Sequence, residues 1–335
     1  MHTLKKKSIK DIAQDLGLSK TTVSFVLNNK GDEKNISKKT QEKILDYVRE
    51  VNYQPNQIAK SLKKGKTNTI GYLVPDISNP FFAKIGRLLE DRFWEKGYHL
   101  LIGSTDENKD KETQVLDMFV NRQVDALIVA SCFIQSDTIK ALLSRDFPLV
   151  FFDREDPDVI ANYILVENKI SMKNAVEKAI DANSKKLGLI TLTPDVYSIK
   201  NRIEGYKMAL ENRNIDFNDK LIRIVDNNDL KKETERELKT LIESGVDTVV
   251  FTNNQIAVIA IWLMNTYYKD KVNDIKFVSF DNVDLFDYSL PKVISVAQPI
   301  EEIATHTTDI IEEILSSEKR ITRRIELTPE LIERN

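Results

Sequence analysis

From residue 68 onward the chain alternates short β-branched runs with amphipathic helical stretches, and this alternation restricts its fold more than any other feature. The runs read TIGYLV, YHLLIG, DALIVA and PLVFFD, then KLGLIT, LIRIV, DTVVF, KFVSFD and VISVA. Strands separated by helices imply parallel sheets with right-handed crossovers. Nine strands are too many for one compact half, so the pattern predicts an α/β core of two doubly wound lobes. Ligands of such sheets lie beyond the carboxyl ends of the strands. Asn79, Phe81 and Phe82 follow the first run, Asp153 and Arg154 the fourth, and Tyr197 to Arg202 the fifth. Asn253, Asn254 and Gln255 follow the seventh, Asp281 and Asn282 the eighth. Amides, carboxylates and arginine can bond vicinal hydroxyls, and aromatic faces cover a sugar's C–H surface. The mixture suits a small carbohydrate better than a lipid or a metal. Strand-end Asp and Asn also commonly cap the next helix, so Asn254 and Asn282 read equally well as caps. Arg202 and Asp281 read also as an ion pair.

The residues before 68 have a different character. The net charge of −3 divides into about +8 on residues 1–66, with 15 Lys and Arg against 7 Asp and Glu, and about −11 on the remainder. A basic head on an acidic body is expected when only the head meets nucleic acid. In SIKDIAQDLGLSKTTVSFVLN, residues 8–28, Ile9, Ile12, Ala13 and Leu16 recur at helical spacing. Gly17 supplies a tight turn, Leu18 points inward, and Ser19 caps a second helix with Val23, Val26 and Leu27 buried. Lys20, Thr21, Ser24, Phe25 and Asn28 then face outward. A third helix follows Ser37, with Ile44, Leu45, Val48 and Val51 toward the core. Two short helices about a glycine turn, braced by a third, describe a helix-turn-helix, whose second helix fits the DNA major groove.

DIAQDLGLSKTTVSFVLN, followed by YQPNQIAKSL, resembles the lactose-repressor (LacI/GalR) family of bacterial regulators, and the likeness runs through the rest of the chain. The resemblance implies that Lys20 and Thr21 read bases with Ser24 and Phe25 beside them, while Ser19, Thr22, Asn28 and Tyr53 hold phosphates. Where the family commonly has arginine this chain has Phe25, which offers apolar contact, for instance to a thymine methyl, in place of a bidentate bond to guanine. In the segment YQPNQIAKSLKKGK, Pro55 and Asn56 suit a helix start and Gly65 its end. A helix of about eight residues is marginal alone. By resemblance it folds when two copies meet in the minor groove, Ala59 allowing close approach and Leu62 wedging between base steps. KKGKT lacks the upstream glycine of a phosphate loop, so no nucleotide site is expected there.

The resemblance extends the core to a likeness with periplasmic sugar-binding proteins. It implies effector contacts at Asn79, Arg202, Asn253, Asp281 and Gln298, with Asp153, Arg154 and Phe81 as pocket neighbours. The chain departs from the family at Asn253-Asn254-Gln255, at Glu167-Asn168…Ser171 and at Asn183-Ser184. A sugar or sugar derivative is the expected effector and a nucleobase the alternative. The expected division is a headpiece over 1–54, a hinge over 55–67 and a core over 68–335. The first lobe comprises 68–166 and 298–322, the second 167–297 and 323–335.

Other classes fit less well. Only His2, His99 and His306 are present, and they assemble no nucleophile–base pair or metal set, so neither catalysis nor a metal or cofactor is expected. The single cysteine, Cys132, excludes an internal disulfide. A solute-binding protein would share the core but needs an export signal in place of the headpiece. No apolar run reaches the roughly 18 residues of a membrane span, so the expectation is a cytoplasmic regulator. It would act on palindromic double-stranded operator DNA as a homodimer, since no heptad-bearing tail follows the last lobe to make a tetramer.

Overall fold

The computed structural model describes residues 7–53, 65–194, 196–316 and 322–334. The chain forms two compact units, Met1–Thr67 and Asn68–Asn335.

The first unit holds three helices, α1 (Ile9–Leu16), α2 (Lys20–Leu27) and α3 (Lys38–Glu50). Each begins at a serine whose hydroxyl accepts a backbone N–H: Ser8 from Asp11, Ser19 from Thr22 and Ser37 from Thr40. Such a cap contributes about 0.5–2 kcal/mol. That is a large share for a core of only Ile12, Ala13, Val23, Val26 and Ile44, with Leu18, Tyr47, Val48 and Tyr53 packed around it. Gly17 ends α1 at φ 66°, a left-handed conformation that a side chain resists. Leu45, expected inward, is exposed. Ile44 and Tyr47–Val48 lie three and four residues apart on one face of α3, and Leu45 is turned about 100° from Ile44.

The second unit contains two six-stranded sheets of the same topology. The first runs β11-β5-β4-β3-β1-β2, the second β12-β10-β9-β8-β6-β7. The first five strands are β1 (Thr69–Val74), β2 (His99–Ser104), β3 (Ala126–Val129), β4 (Leu149–Phe152) and β5 (Asn162–Val166). The next five are β6 (Leu187–Thr191), β7 (Ile222–Ile224), β8 (Thr248–Phe251), β9 (Lys276–Phe280) and β10 (Val293–Ala297). Helices α4 (Pro80–Glu95), α5 (Lys109–Asn121) and α6 (Asp137–Ser144) cross over in the first lobe. Helices α7 (Lys169–Asp181), α8 (Tyr197–Asn212), α9 (Leu230–Glu243) and α10 (Asn254–Tyr267) belong to the second. The returning helix α11 (Ile300–Ser316) packs on α4 and on the first sheet. One apolar cluster runs through both lobes, carrying Phe82, Ile85 and Leu89 of α4, Ile303 and Ile311 of α11, Met172 and Val176 of α7, and Tyr206 of α8.

The C-terminal strand expected in the second lobe is two strands, one in each sheet. Arg324–Leu327 (β11) runs parallel to Tyr163–Val166 of the first lobe, and Glu330–Ile332 (β12) runs antiparallel to Ser295–Ala297 of the second. Residues 323–335 therefore do not belong to the second lobe alone. Backbone hydrogen bonds of an otherwise open sheet edge are satisfied in each lobe by this one crossing segment. Among the described residues no helix is long and apolar enough to cross a membrane.

Candidate nucleic-acid face and effector crevice

On α2, Lys20 and Thr21 are exposed at the helix N-terminus, where free backbone N–H groups and the helix dipole favour a phosphate or a base edge. Ser19 and Thr22 are bonded to each other, Oγ to Oγ1 at 2.8 Å, besides the cap itself. The Asn28 side-chain amide donates to the Ser24 carbonyl at 2.7 Å. Phe25 is half-buried and stands outside the core cluster, with the Lys34 ammonium 5.7 Å over its ring. Tyr53 is packed against the core, and burial raises its phenol above the ordinary range. Asn56, Ala59 and Leu62, with the rest of the expected hinge helix, lie outside the described residues.

In the core, a cavity of about 700 Å³ opens between the two lobes at the carboxyl ends of the strands. Asn79, Phe81, Asp153, Arg154, Arg202, Asn253, Asp281 and Gln298 all line it. Several hold their neighbours as well. Asn79 caps α4 and accepts the Asn254 amide from the opposite lobe at 3.2 Å, while Asn253 caps α10. Asn254 thus ties lobe to lobe. Asn282 accepts from Ser295 at 2.9 Å and from Arg334 at 2.7 Å, a structural role. Phe81 and Phe82, both in the lining, meet edge to face at 5.0 Å.

Arg202 is the most constrained polar group. Its Nε donates to Asn168 Oδ1 and its Nη1 to the Thr252 carbonyl, both at 2.8 Å, and its guanidinium lies 3.8 Å over the Phe280 ring. The carboxylate that it approaches within 4 Å is Asp153, at 3.9 Å, and not Asp281. Arg154 donates to Glu107 Oε1 at 2.6 Å and to Cys132 Sγ, with Asp153 3.7 Å away. Asp281 accepts from the Gln298 amide. Burial pushes the Asp153 carboxyl up, the Arg202 and Arg154 guanidiniums pull it back, and Asp281 and Glu107 push it further up. Burial likewise draws Arg202 down, against Asp281 and Asp153. Desolvation takes the Cys132 thiol up to about 11 despite Arg154.

The departures noted in the sequence have local reasons. Asn168 turns its amide to Arg202 and the Val166 carbonyl and leaves α7 uncapped, so Glu167 takes over, accepting from the N–H groups of Ile170 (2.8 Å) and Ser171 (2.7 Å). Asn183 sits at φ 70°, which asparagine tolerates better than most residues, and Ser184 accepts from Thr248 at 2.6 Å. Sequence reasoning missed two segments of the lining, Asp106-Glu107-Asn108 after β2 and Asp226-Asn227-Asn228 after β7. Both follow edge strands, and the strand-end rule would have found them had it been applied there.

The comparisons agree with this division. The model of bacterial regulatory proteins of the lacI family matches residues 8–56, and that of the periplasmic binding protein domain matches 70–286. The chain belongs to the LacI family. This LacI-family chain is 28% identical over 334 residues to the HTH-type transcriptional regulator DegA of Bacillus subtilis, covering 98% of each. It is 28% identical over 333 residues to the ribose operon repressor of Halalkalibacterium halodurans, covering 98% of the chain and 96% of that protein. The lac repressor dimer bound to operator and the anti-inducer ONPF shares its fold, with a TM-score of 0.81 at 20% identity over 98% of each chain. As a LacI-family protein, it is a DNA-binding transcriptional regulator with a ligand-binding core.

Proposed function

We propose that this regulator represses carbohydrate-use genes and that a small sugar or sugar derivative in the crevice switches its grip on a palindromic operator. The observation that carries the reading is that eight side chains from six separate strand ends, in two lobes, line one cavity. Its lining combines carboxylates, amides and guanidiniums with the Phe81–Phe82 pair, the mixture that suits a polyol with one apolar face. Ligand bridging Asp153 and Arg154 of the first lobe to Arg202 and Asp281 of the second favours one lobe arrangement over others. An equilibrium shifted in this way couples to operator affinity by about 1–3 kcal/mol, roughly 5–150-fold.

The regulator acts in the cytoplasm as a homodimer, without catalysis of its own. Two headpieces are needed to read two half-sites. The second lobe offers a contact face in Trp262 and Tyr267 of α10 with Leu285, Tyr288 and Leu290, all exposed. The Asn265 amide on α10 bonds the Leu290 carbonyl, so these groups are neighbours. On the headpiece, Lys20, Thr21, Ser24 and Phe25 read bases and Ser19, Thr22, Asn28 and Tyr53 hold the backbone.

Selection of bound sequences from a random duplex library by the full-length protein, repeated with a panel of sugars and nucleobases, tests this reading. Enrichment of a palindrome whose recovery a sugar changes is the expected outcome. Equal, weak retention of every duplex under all conditions contradicts it, and a response to a nucleobase alone replaces the sugar.

A further inference from the structure

The charge of the crevice restricts its ligand further. Among the described residues six carboxylates line it, those of Asp76, Asp106, Glu107, Asp153, Asp226 and Asp281, against the two guanidiniums of Arg154 and Arg202, and no lysine or histidine does. Both guanidiniums are already partnered, although Arg154 keeps one buried N–H, at Nε, without a hydrogen bond. Arg202 is spent on Asn168, on the Thr252 carbonyl and on the Phe280 face. Arg154 is forked onto Glu107 and Cys132 beside Asp153. Asp106 has its own counter-ion in Lys111, which leaves an excess of negative charge on the lining. The one buried acceptor of the lining without a hydrogen-bond partner among the described residues is Gln298 Oε1, on a side chain only 9% exposed and bonded through its amide to Asp281. An acceptor left in this state asks the ligand for an N–H or O–H donor.

We propose that the effector is a sugar without phosphate or carboxylate, bringing hydroxyl or amine donors to Asp153, Asp281 and Gln298, and that the crevice rejects anionic sugars. The proposal rests on the sugar reading above and sharpens it. A phosphate placed here loses its hydration, meets excess negative charge and competes with Glu107 and the Thr252 carbonyl for the two guanidiniums. An amine gains from the same field.

Titration calorimetry of the full-length protein, with glucose, galactose, mannose and ribose each as the neutral sugar and as available 2-amino, phosphorylated and uronate forms, decides it. For whichever parent sugar binds, the amino form is expected to bind at least as tightly, and the phosphate and uronate at least about tenfold more weakly. Glu107→Gln, which releases Arg154 from its carboxylate, is expected to narrow the ratio of phosphate Kd to parent Kd by about threefold or more, whatever it does to the parent's own affinity. A phosphate or uronate that binds more tightly than its parent overturns the charge rule and leaves the sugar reading standing. Adenine, guanine or hypoxanthine binding while every sugar fails, or no heat in any arm, overturns the sugar reading itself and this inference with it.

Discussion

Asp153 and Asp281 occupy the same place in the two lobes. Each is the first residue beyond the fourth strand of its lobe, β4 and β9, and each has a left-handed backbone, at φ 64° and 70°. Both are buried and both line the crevice. Non-glycine residues held at positive φ persist where the surroundings over-determine them, often at ligand sites. The matched sheet orders explain how one chain presents two such carboxylates to a single cavity from opposite sides.

The charge of Asp153 bears on folding, and Asp153→Asn tests how. A carboxyl whose folded-state pKa is raised by burial destabilises the fold when ionised. That cost is fully present above its folded pKa and disappears as pH falls through it toward the ordinary 3.8. Asparagine accepts the left-handed backbone. The variant is expected to melt higher than wild type at neutral pH, with the two melting curves converging as the pH approaches 4. A variant less stable at pH 7 and no better in acid would show that the ionised form is stabilised.

For Asp281→Asn the effect is expected in binding. A hydrogen bond to a charged group contributes about 1.5–3 kcal/mol, so effector Kd should rise about 10- to 150-fold by calorimetry. Operator affinity without effector should stay within about twofold.

Phe25→Arg should alter operator preference without altering fold. Arginine at this exposed helix face can bond guanine twice, worth about 1–3 kcal/mol of discrimination. Libraries selected by the two proteins are expected to differ at one symmetric pair of positions. Identical preferences would mean that Phe25 reads no base.

Gly205 lies where α7 and α8 approach most closely. A Cβ there would stand 2.2 Å from the Lys169 carbonyl oxygen, which is backbone and cannot swing aside. Gly205→Ala is therefore expected to destabilise by about 1–3 kcal/mol in urea unfolding, although alanine is the better helix former.

Charge placed on the apolar face of the second lobe should separate protomers. The double change Trp262→Glu and Tyr288→Asp is expected to leave the melting temperature within a few degrees and to shift sedimentation from dimer to monomer. A dimer undiminished at micromolar protein would place the interface elsewhere.

Much of this architecture was readable because period and strand-end chemistry are local. The β-branched runs located the central strands, and the residues just past them located much of the cavity lining, because the carboxyl ends of both sheets open on one crevice. Less was readable where the deciding partner is distant in sequence. Nothing in Arg324–Leu327 or Glu330–Ile332 tells which sheet each joins, since strands of three or four residues carry too little pattern. Leu45 shows the limit of apolarity as a guide to burial, the helix period having already given its place to Ile44. Glu167 reads as a departure from a family pattern until the turn of Asn168 toward Arg202 leaves a helix in need of another cap.

Whether crevice and operator are coupled is read from the fluorescence anisotropy of a labelled operator, titrated with full-length protein with and without saturating effector. Operator Kd is expected to change by about 5- to 150-fold, and effector Kd by the same factor when operator is present, because coupling of equilibria is reciprocal. An effector that fills the crevice with full affinity and leaves the operator Kd unchanged would contradict it.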